Sequence, residues 1–491
     1  MCGIFGYYSN DKLDIESNIL DHRGPDSWGV SYDFNNDKCL TLFHSRLQII
    51  GLGVQGHQPF KLDNFNSTLV FNGEIFNYKF IKEELKNTFN ATFNSQTDTE
   101  VLYQCLNYNG ISKTLDLING QFAFAYYDKD SKNLYIARDN LGIKPLYYFH
   151  DKSNFAFSSE IKSFFELEIF EPELNKDLLG EYLANGWIYE PDTLFKGVYK
   201  LNSGNFLKYN FEDNQLSKNE YWSINNNSTK RPDIEKVINN QLISDVNLGV
   251  YFSGGYDSTL ITTYLLNKNL EYFNLDIGQS ESKTVKYFDN EYDLNLTKIK
   301  PKKFELKTYD KLIYYLDEPI SDPAIFPAYD LAKSSKEKGC TVMLSGMGGD
   351  EVDSGYNRHR VINNLKLLKL IPSFFYNFIP GLSKRDSLRL KYFLKNPSPE
   401  NYFSLTSYFN EKEISELVNY KWYENYRSKI KKIANGYKKE MKYYLLDIKG
   451  FLSSHNLIYM DKCSMAASVE VRLPLLDKDF VSYMMKDLIK K

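Results

Sequence analysis

Two rhythms of apolar and polar positions divide the chain. Up to about Tyr209, short runs such as Cys39–Phe43, Ser67–Phe71, Phe122–Tyr127, Asn133–Ala137 and Asn154–Ser158 alternate apolar with polar or small residues, the period of a half-buried strand. Helical spacing falls between them, at Lys79–Asn87 and Asp98–Asn107. Strands with interspersed helices predict a layered α+β domain over residues 1–209. Residues 210–232 hold few aliphatics and many Asn, Ser and Lys, and read as a linker. From residue 233 the pattern changes. A buried-type strand, Leu248–Phe252, runs into a glycine turn and a helix, Ser258–Asn267; strands at Tyr272–Ile277 and Thr341–Leu344 follow. Strand, glycine turn, helix, strand predicts a parallel α/β sheet. The final ~130 residues carry helical spacing, so residues 233–491 read as an α/β domain with a helical C-terminal part.

Composition narrows the classes. A 42% apolar and 25% charged chain suits an ordinary globular protein and excludes wholesale disorder. A net charge of −3 provides no global field toward nucleic acid or an anionic membrane. The 16% aromatic share reads as compositional bias, not as a base-stacking platform. No run reaches the ~18 apolar residues of a membrane helix, and the N-terminus lacks the build of a signal peptide, so neither membrane insertion nor export is expected and the cytoplasm is the expected location. Five scattered cysteines without a CxxC offer neither a disulfide framework nor a zinc site.

The first candidate chemistry is at the start of the chain. Cys2 follows Met1, and its small side chain permits removal of Met1; the cysteine would then carry a thiol beside a free α-amine. With a pKa near ~7.7–8.0, such an amine can serve as the thiol's own base. Alone, Cys2 reads more simply as a small hydrophobe. Other groups join it. Arg46 offers a guanidinium for a substrate carboxylate. In Asn72-Gly73-Glu74 an amide and a glycine N–H suit an oxyanion hole, and Glu74 suits an ammonium group. Asp98 suits either the same ammonium or a helix cap.

In order, MCGIFG, HRGPD, the stretch Arg46–Pro59, FNGEIFN, TDTE, GQFAFAYYD and ARDNLGIKPLYY resemble the glutaminase domain of class II glutamine amidotransferases, and within that class the asparagine synthetase family. The resemblance implies an N-terminal-nucleophile hydrolase fold, an αββα sandwich. It implies Cys2 as nucleophile, Asn72 and Gly73 as oxyanion hole, and Arg46, Asn72, Gly73, Glu74 and Asp98 around glutamine. Gly51 stands where relatives usually carry aspartate, and the block between Gly6 and His22 is short.

The second candidate is Ser253-Gly254-Gly255-Tyr256-Asp257-Ser258, after a strand and at a helix start, where backbone N–H groups suit phosphate oxygens. It lacks the lysine of a Walker loop. The pattern resembles the PP-loop of ATP pyrophosphatases. That resemblance implies ATP contacts at Phe252, Ser253, Gly254, Gly255, Asp257, Ser258, Leu275, Ser345 and Gly346, and Mg²⁺ held by Asp257 and Asp350. Asp317-Glu318-Pro319, Asp461-Lys462 and Glu470-Val471-Arg472 also match in order; Glu470 and Arg472 read equally as ligand contacts or as a buried ion pair.

Two departures bear on activity. Met347 stands where asparagine-forming members usually have glutamate, and a thioether takes no proton. The sequence also stops at Lys491, soon after Asp477, without the segment in which relatives carry a transition-state lysine; Lys462 or lysines of 478–491 are the expected substitutes. The expected activity is glutamine hydrolysis coupled to ATP-dependent amidation of an acceptor carboxylate, aspartate by family default or a sugar uronic acid converted to its uronamide. The rival reading is a degenerate relative with glutaminase activity only, or a non-catalytic subunit. A homodimer stays open, and action on nucleic acid is disfavoured.

Overall fold

The computed structural model describes the whole chain except residues 36, 152–153, 225–230, 277–282, 303–304, 373–374, 377–381, 419–420, 438–439 and 491. Ile277, expected at the end of a strand, and residues 225–230 of the expected linker lie outside the described residues.

The first part holds two antiparallel sheets. One runs in the order β2 (Ser27–Asn35), β3 (Lys38–Arg46), β1 (Gly3–Ser9), β8 (Phe155–Ser158), β7 (Tyr147–His150) and β9 (Val198–Lys200). The other runs β11 (Leu216–Glu220), β10 (Asn205–Asn210), β6 (Asn133–Arg138), β5 (Gly120–Asp128) and β4 (Ser67–Ile75). Strand alternation sends one set of side chains to a shared core, where Ile4, Tyr8, Leu40 and Leu42 meet Val70, Ala123, Ala125, Leu134 and Leu207.

The opposite set faces outward. Leu69, Phe71, Phe122 and Phe124 pack under helices α1 (Tyr78–Phe89) and α2 (Asp98–Leu117), through Ile81, Leu85, Val101 and Leu106. Across the other sheet, Phe5, Phe43 and Tyr147 are covered by Ile15, Leu20 and Phe164. Long helices thus flank the sandwich on one side. On the other, a loop and the five-residue helix Lys162–Glu166 do so.

Part of the expected linker is sheet. Leu216–Glu220 pairs antiparallel with Asn205–Asn210, Leu216 opposite Tyr209. Its polar, exposed residues gave no apolar alternation because an edge strand facing solvent needs none.

The second part is built on a five-stranded parallel sheet, β14 (Leu296–Ile299), β13 (Glu271–Leu275), β12 (Leu248–Tyr251), β15 (Val342–Leu344) and β16 (Glu470–Arg472). Strand order reverses between β12 and β15, so the loops after these two strands flank the crevice where open α/β sheets bind ligands. The remaining described residues after Gly355 are mostly helical. Among the described residues no helix is long and apolar enough to cross a membrane.

Candidate active site

Cys2 immediately precedes β1 and is buried. Its N–H donates to Asn72 Oδ1 at 3.0 Å, and its thiol lies 3.9 Å from the Leu47 carbonyl. Burial pushes the thiol up, while the neighbouring α-amine, the Leu47 contact and the Arg46 guanidinium pull it down. The α-amine here belongs to Met1 and pairs with Glu470 at 3.3 Å.

Asn72 and Gly73 sit in β4 opposite Ala123 and Phe122. The Asn72 side chain is fully buried, and its Nδ2 has no hydrogen-bond partner. A buried amide donor left idle costs free energy and is exceptional. At Gly73, with φ 146°, a Cβ would stand 2.0 Å from the Gln121 carbonyl oxygen, so only glycine fits.

Glu74 and Asp98 are both buried. Desolvation, and then the charge of Asp98, hold Glu74 well above the ordinary carboxylate range. Burial pushes Asp98 up to about 6, against the pull of the Ile75 N–H that it accepts at 3.0 Å. Two desolvated carboxylates side by side form a site short of a cation. Asp98 is not the helix cap; Thr97 fills that role, accepting from the Glu100 N–H. Arg46 reaches the same region but spends most of its donors on its own loop. It donates to the carbonyls of Gly51 at 2.7 Å and Ile50 at 3.5 Å, and to that of Gly53.

In the parallel-sheet part, Ser253 Oγ and Ser258 Oγ lie 3.0 Å apart, and Gly254 takes φ 77°. The two glycine loops touch: a Cβ at Gly346 would stand 2.7 Å from the Ser258 nitrogen, and one at Gly349 2.3 Å from Asp257 Cγ. Asp257 is pushed up to about 6 by burial and by the charges of Asp350 and Asp353. Phe252 donates its N–H to the Phe273 carbonyl, and Leu275 ends the next strand. The residues expected around ATP are therefore brought together at one crevice. Asp353 joins them with no sequence signal beyond its place three residues after Asp350.

The remaining matched motifs form the seam between the two parts. Arg23, fully buried, donates to the Cys2 carbonyl at 3.0 Å, to Glu160 at 2.9 Å and to Asp461 at 2.8 Å. Asp317 accepts the Ile161 N–H at 2.8 Å, and Glu318 accepts the Leu194 N–H at 2.6 Å. Lys462, one expected substitute for the transition-state cation, is instead fully buried against Asp317 and donates to the Leu316 carbonyl at 2.9 Å. Its charge is consumed there. Glu470 and Arg472 pair at 2.6 Å and face the Glu74 pocket, not the glycine loops.

A glutamine amidotransferase domain model matches residues 1–222, and an asparagine synthase model matches residues 231–487. A putative glutamine-hydrolysing asparagine synthetase 2 of Methanocaldococcus jannaschii is 32% identical, covering 76% of this chain and 79% of the relative. The chain belongs to the glutamine-hydrolysing asparagine synthetase family. The glutamine-hydrolysing asparagine synthetase 1 of Bacillus subtilis is 30% identical over 97% of this chain and 80% of its own length. A family relative from Gibberella zeae, named amidase chry2, is 26% identical over 71% of this chain and 56% of its own length. The chain is thus an enzyme of two domains, and the asparagine synthetase family supplies the frame for both sites.

Proposed function

We propose that this enzyme hydrolyses glutamine at Cys2 and passes the ammonia to a sugar uronic acid that it has activated with ATP, forming the uronamide. We divide the chain into the two domains after Glu220, with the first sheet pair on one side and the parallel sheet on the other. The observation that carries the glutaminase reading is Asn72: one end of its amide fixes Cys2, and the other is a buried donor with nothing to bind.

Once Met1 is removed, the nitrogen that already donates to Asn72 becomes an amine. It takes the thiol proton, and Cys2 Sγ attacks the side-chain amide carbon of glutamine. Asn72 Nδ2 and the Gly73 backbone stabilise the oxyanion, the C–N bond breaks, and ammonia leaves with the proton. Water then releases glutamate from the thioester. Glu74 and Asp98 hold the α-ammonium group, and Arg46 contributes charge beside the substrate carboxylate.

At the second site the acceptor carboxylate attacks the α-phosphorus of ATP, pyrophosphate leaves, ammonia attacks the acyl carbon, and AMP departs. Ser253, Gly254, Gly255 and Ser258 bind phosphate oxygens, and Leu275 with Phe252 borders the base. Asp257 and Asp350, a pair short of a cation, suit Mg²⁺, which would neutralise phosphate charge.

Met347 favours a sugar acid. Its side chain packs against the cluster that holds Tyr459 and Ile458, and its thioether supplies no proton acceptor. Nearby, Arg358 lies between the rings of Tyr356 and Phe451, at 3.9 and 4.4 Å, while Tyr356 OH and Asn456 Nδ2 both donate to Glu351 at 2.7 Å. These groups are spent on one another, so the sugar-acid reading rests on Met347. The names of the relatives support aspartate as the second reading.

The test is product mass spectrometry with glutamine, ATP and a panel of aspartate and free or nucleotide-linked uronic acids, in the unsubstituted enzyme and in Cys2→Ala. Uronamide formation that Cys2→Ala supports only with added ammonium is expected. Asparagine formation with no uronamide from any sugar acid reverses the acceptor; glutamine hydrolysis by Cys2→Ala at the unsubstituted rate overturns the nucleophile.

A further inference from the structure

Arg472 touches both sites. It is fully buried at the end of β16. Three of its contacts fix the guanidinium: Glu470 at 2.6 Å, and the carbonyls of Gln241 and Ile243 at 2.7 and 2.6 Å, on the segment that leads into β12. The remaining nitrogen, Nη2, makes no hydrogen bond among the described residues and points at Glu74 Oε1 across 3.6 Å. The backbone of the same residue reaches the other site. The Arg472 carbonyl accepts the N–H of Ser345 at 2.9 Å, at the head of the second glycine loop. Leu344 lies opposite Arg472 in the parallel pairing of β15 and β16.

We propose that Arg472 is a positioning residue that couples the two sites: the charge it sees at Glu74 sets the placement of the Ser345 loop, so glutamine and ATP alter each other's affinity. The inference rests on reading the Glu74 pocket as the glutamine site. With the pocket empty, burial resists charging Glu74, but the guanidinium beside it favours the anion. Glu74 and Asp98 thus pull on an Arg472 that its other contacts keep from closing the gap. In this dry seam the pull is strong. A ligand ammonium held between Glu74 and Asp98 cancels it, and Arg472 settles toward Glu470. A shift of Arg472 that reaches its backbone moves the carbonyl that holds Ser345. Reciprocity then requires ATP to change glutamine affinity by the same factor.

The test measures ATP–Mg²⁺ affinity of the full chain carrying Cys2→Ala, which holds glutamine without consuming it, with and without saturating L-glutamine. A change of about fivefold or more is expected, the lower end of ordinary coupling between sites. Glu74→Gln in the same background removes the charge that Arg472 faces. Without glutamine it should already show the ATP affinity of the glutamine-bound parent, which a purely structural Arg472 would not produce. Arg472→Lys, which keeps a cation but loses the fixed fork, should reduce the change to less than twofold. If that variant does not fold, Glu74→Gln decides alone. No detectable glutamine binding to Cys2→Ala overturns the glutamine-site reading and the proposal with it. Glutamine binding with an ATP affinity that moves less than twofold overturns the proposal only. So does an unchanged ligand-free ATP affinity in Glu74→Gln, or full coupling in a folded Arg472→Lys protein.

Discussion

Asn72 and Cys2 share one amide: its oxygen accepts the Cys2 N–H at 3.0 Å, and its nitrogen has no partner. The idle donor is matched to charge that develops only during reaction. Asn72→Ala should lower kcat for glutamine hydrolysis by roughly 10²–10³, the usual cost of one oxyanion donor, with a smaller change in KM. Amidation driven by free ammonium should be unaffected. Steady-state kinetics with each nitrogen source checks both.

The Asp98 carboxyl, at about 6 in the empty pocket, sets a pH limit. Below that value it is protonated and cannot hold an ammonium group, so kcat/KM for glutamine should fall as pH drops from 7 to 5. Stability follows the opposite sign. A carboxyl raised above its unfolded value of 3.8 contributes stability present below ~3.8 and lost as pH rises through about 6. Asp98→Asn should therefore raise Tm more at pH 8 than at pH 4, while abolishing efficient glutamine use at pH 8.

Gly346→Ala would place a methyl 2.7 Å from the Ser258 nitrogen, a backbone atom that cannot swing aside. The two glycine loops must part. ATP affinity should fall by at least tenfold, with glutamine hydrolysis in the absence of ATP retained. Nucleotide titration beside a glutaminase assay separates the two.

At the seam, Arg23→Met leaves Asp461 without its buried cation and leaves Glu160 with Lys162 and His22 only. Breaking a buried ion pair on one side costs about 3–5 kcal/mol. Urea denaturation should show a loss of that order. Arg23→Met combined with Asp461→Asn should recover part of it, because the stranded charge is then gone.

Much of this arrangement was legible in the sequence where the local signal and the final role coincide. The alternation at Ser67–Phe71 and Phe122–Tyr127 does mark paired strands, and the glycine loop after Leu248–Phe252 does open a helix. Gly110, at φ 73°, breaks the helical backbone three residues past the expected end of α2, and a second helical stretch, unexpected from the sequence, carries on to Leu117. The edge strand Leu216–Glu220 and the three-residue strand Glu470–Arg472 carry too little apolar pattern to announce themselves. For the site, the motifs name the residues but not their partners. Asp461, Lys462, Asp317 and Glu318 look the same in sequence whether they bind a ligand or another domain, since either task needs a charge with a matched partner. Only their burial against the first sheet pair decides.

The Arg23–Asp461 contact spans 438 residues of sequence. A ribosome adding about 5–20 residues per second needs roughly 20 seconds to a minute and a half between the two. Through that interval the emerging first domain has its thiol and its amide but lacks the anion that completes the anchor beneath the Cys2 carbonyl. The first domain therefore emerges with Arg23 held by Glu160 alone, and the anchor beneath the Cys2 carbonyl gains its second anion only when the last part of the chain has been made.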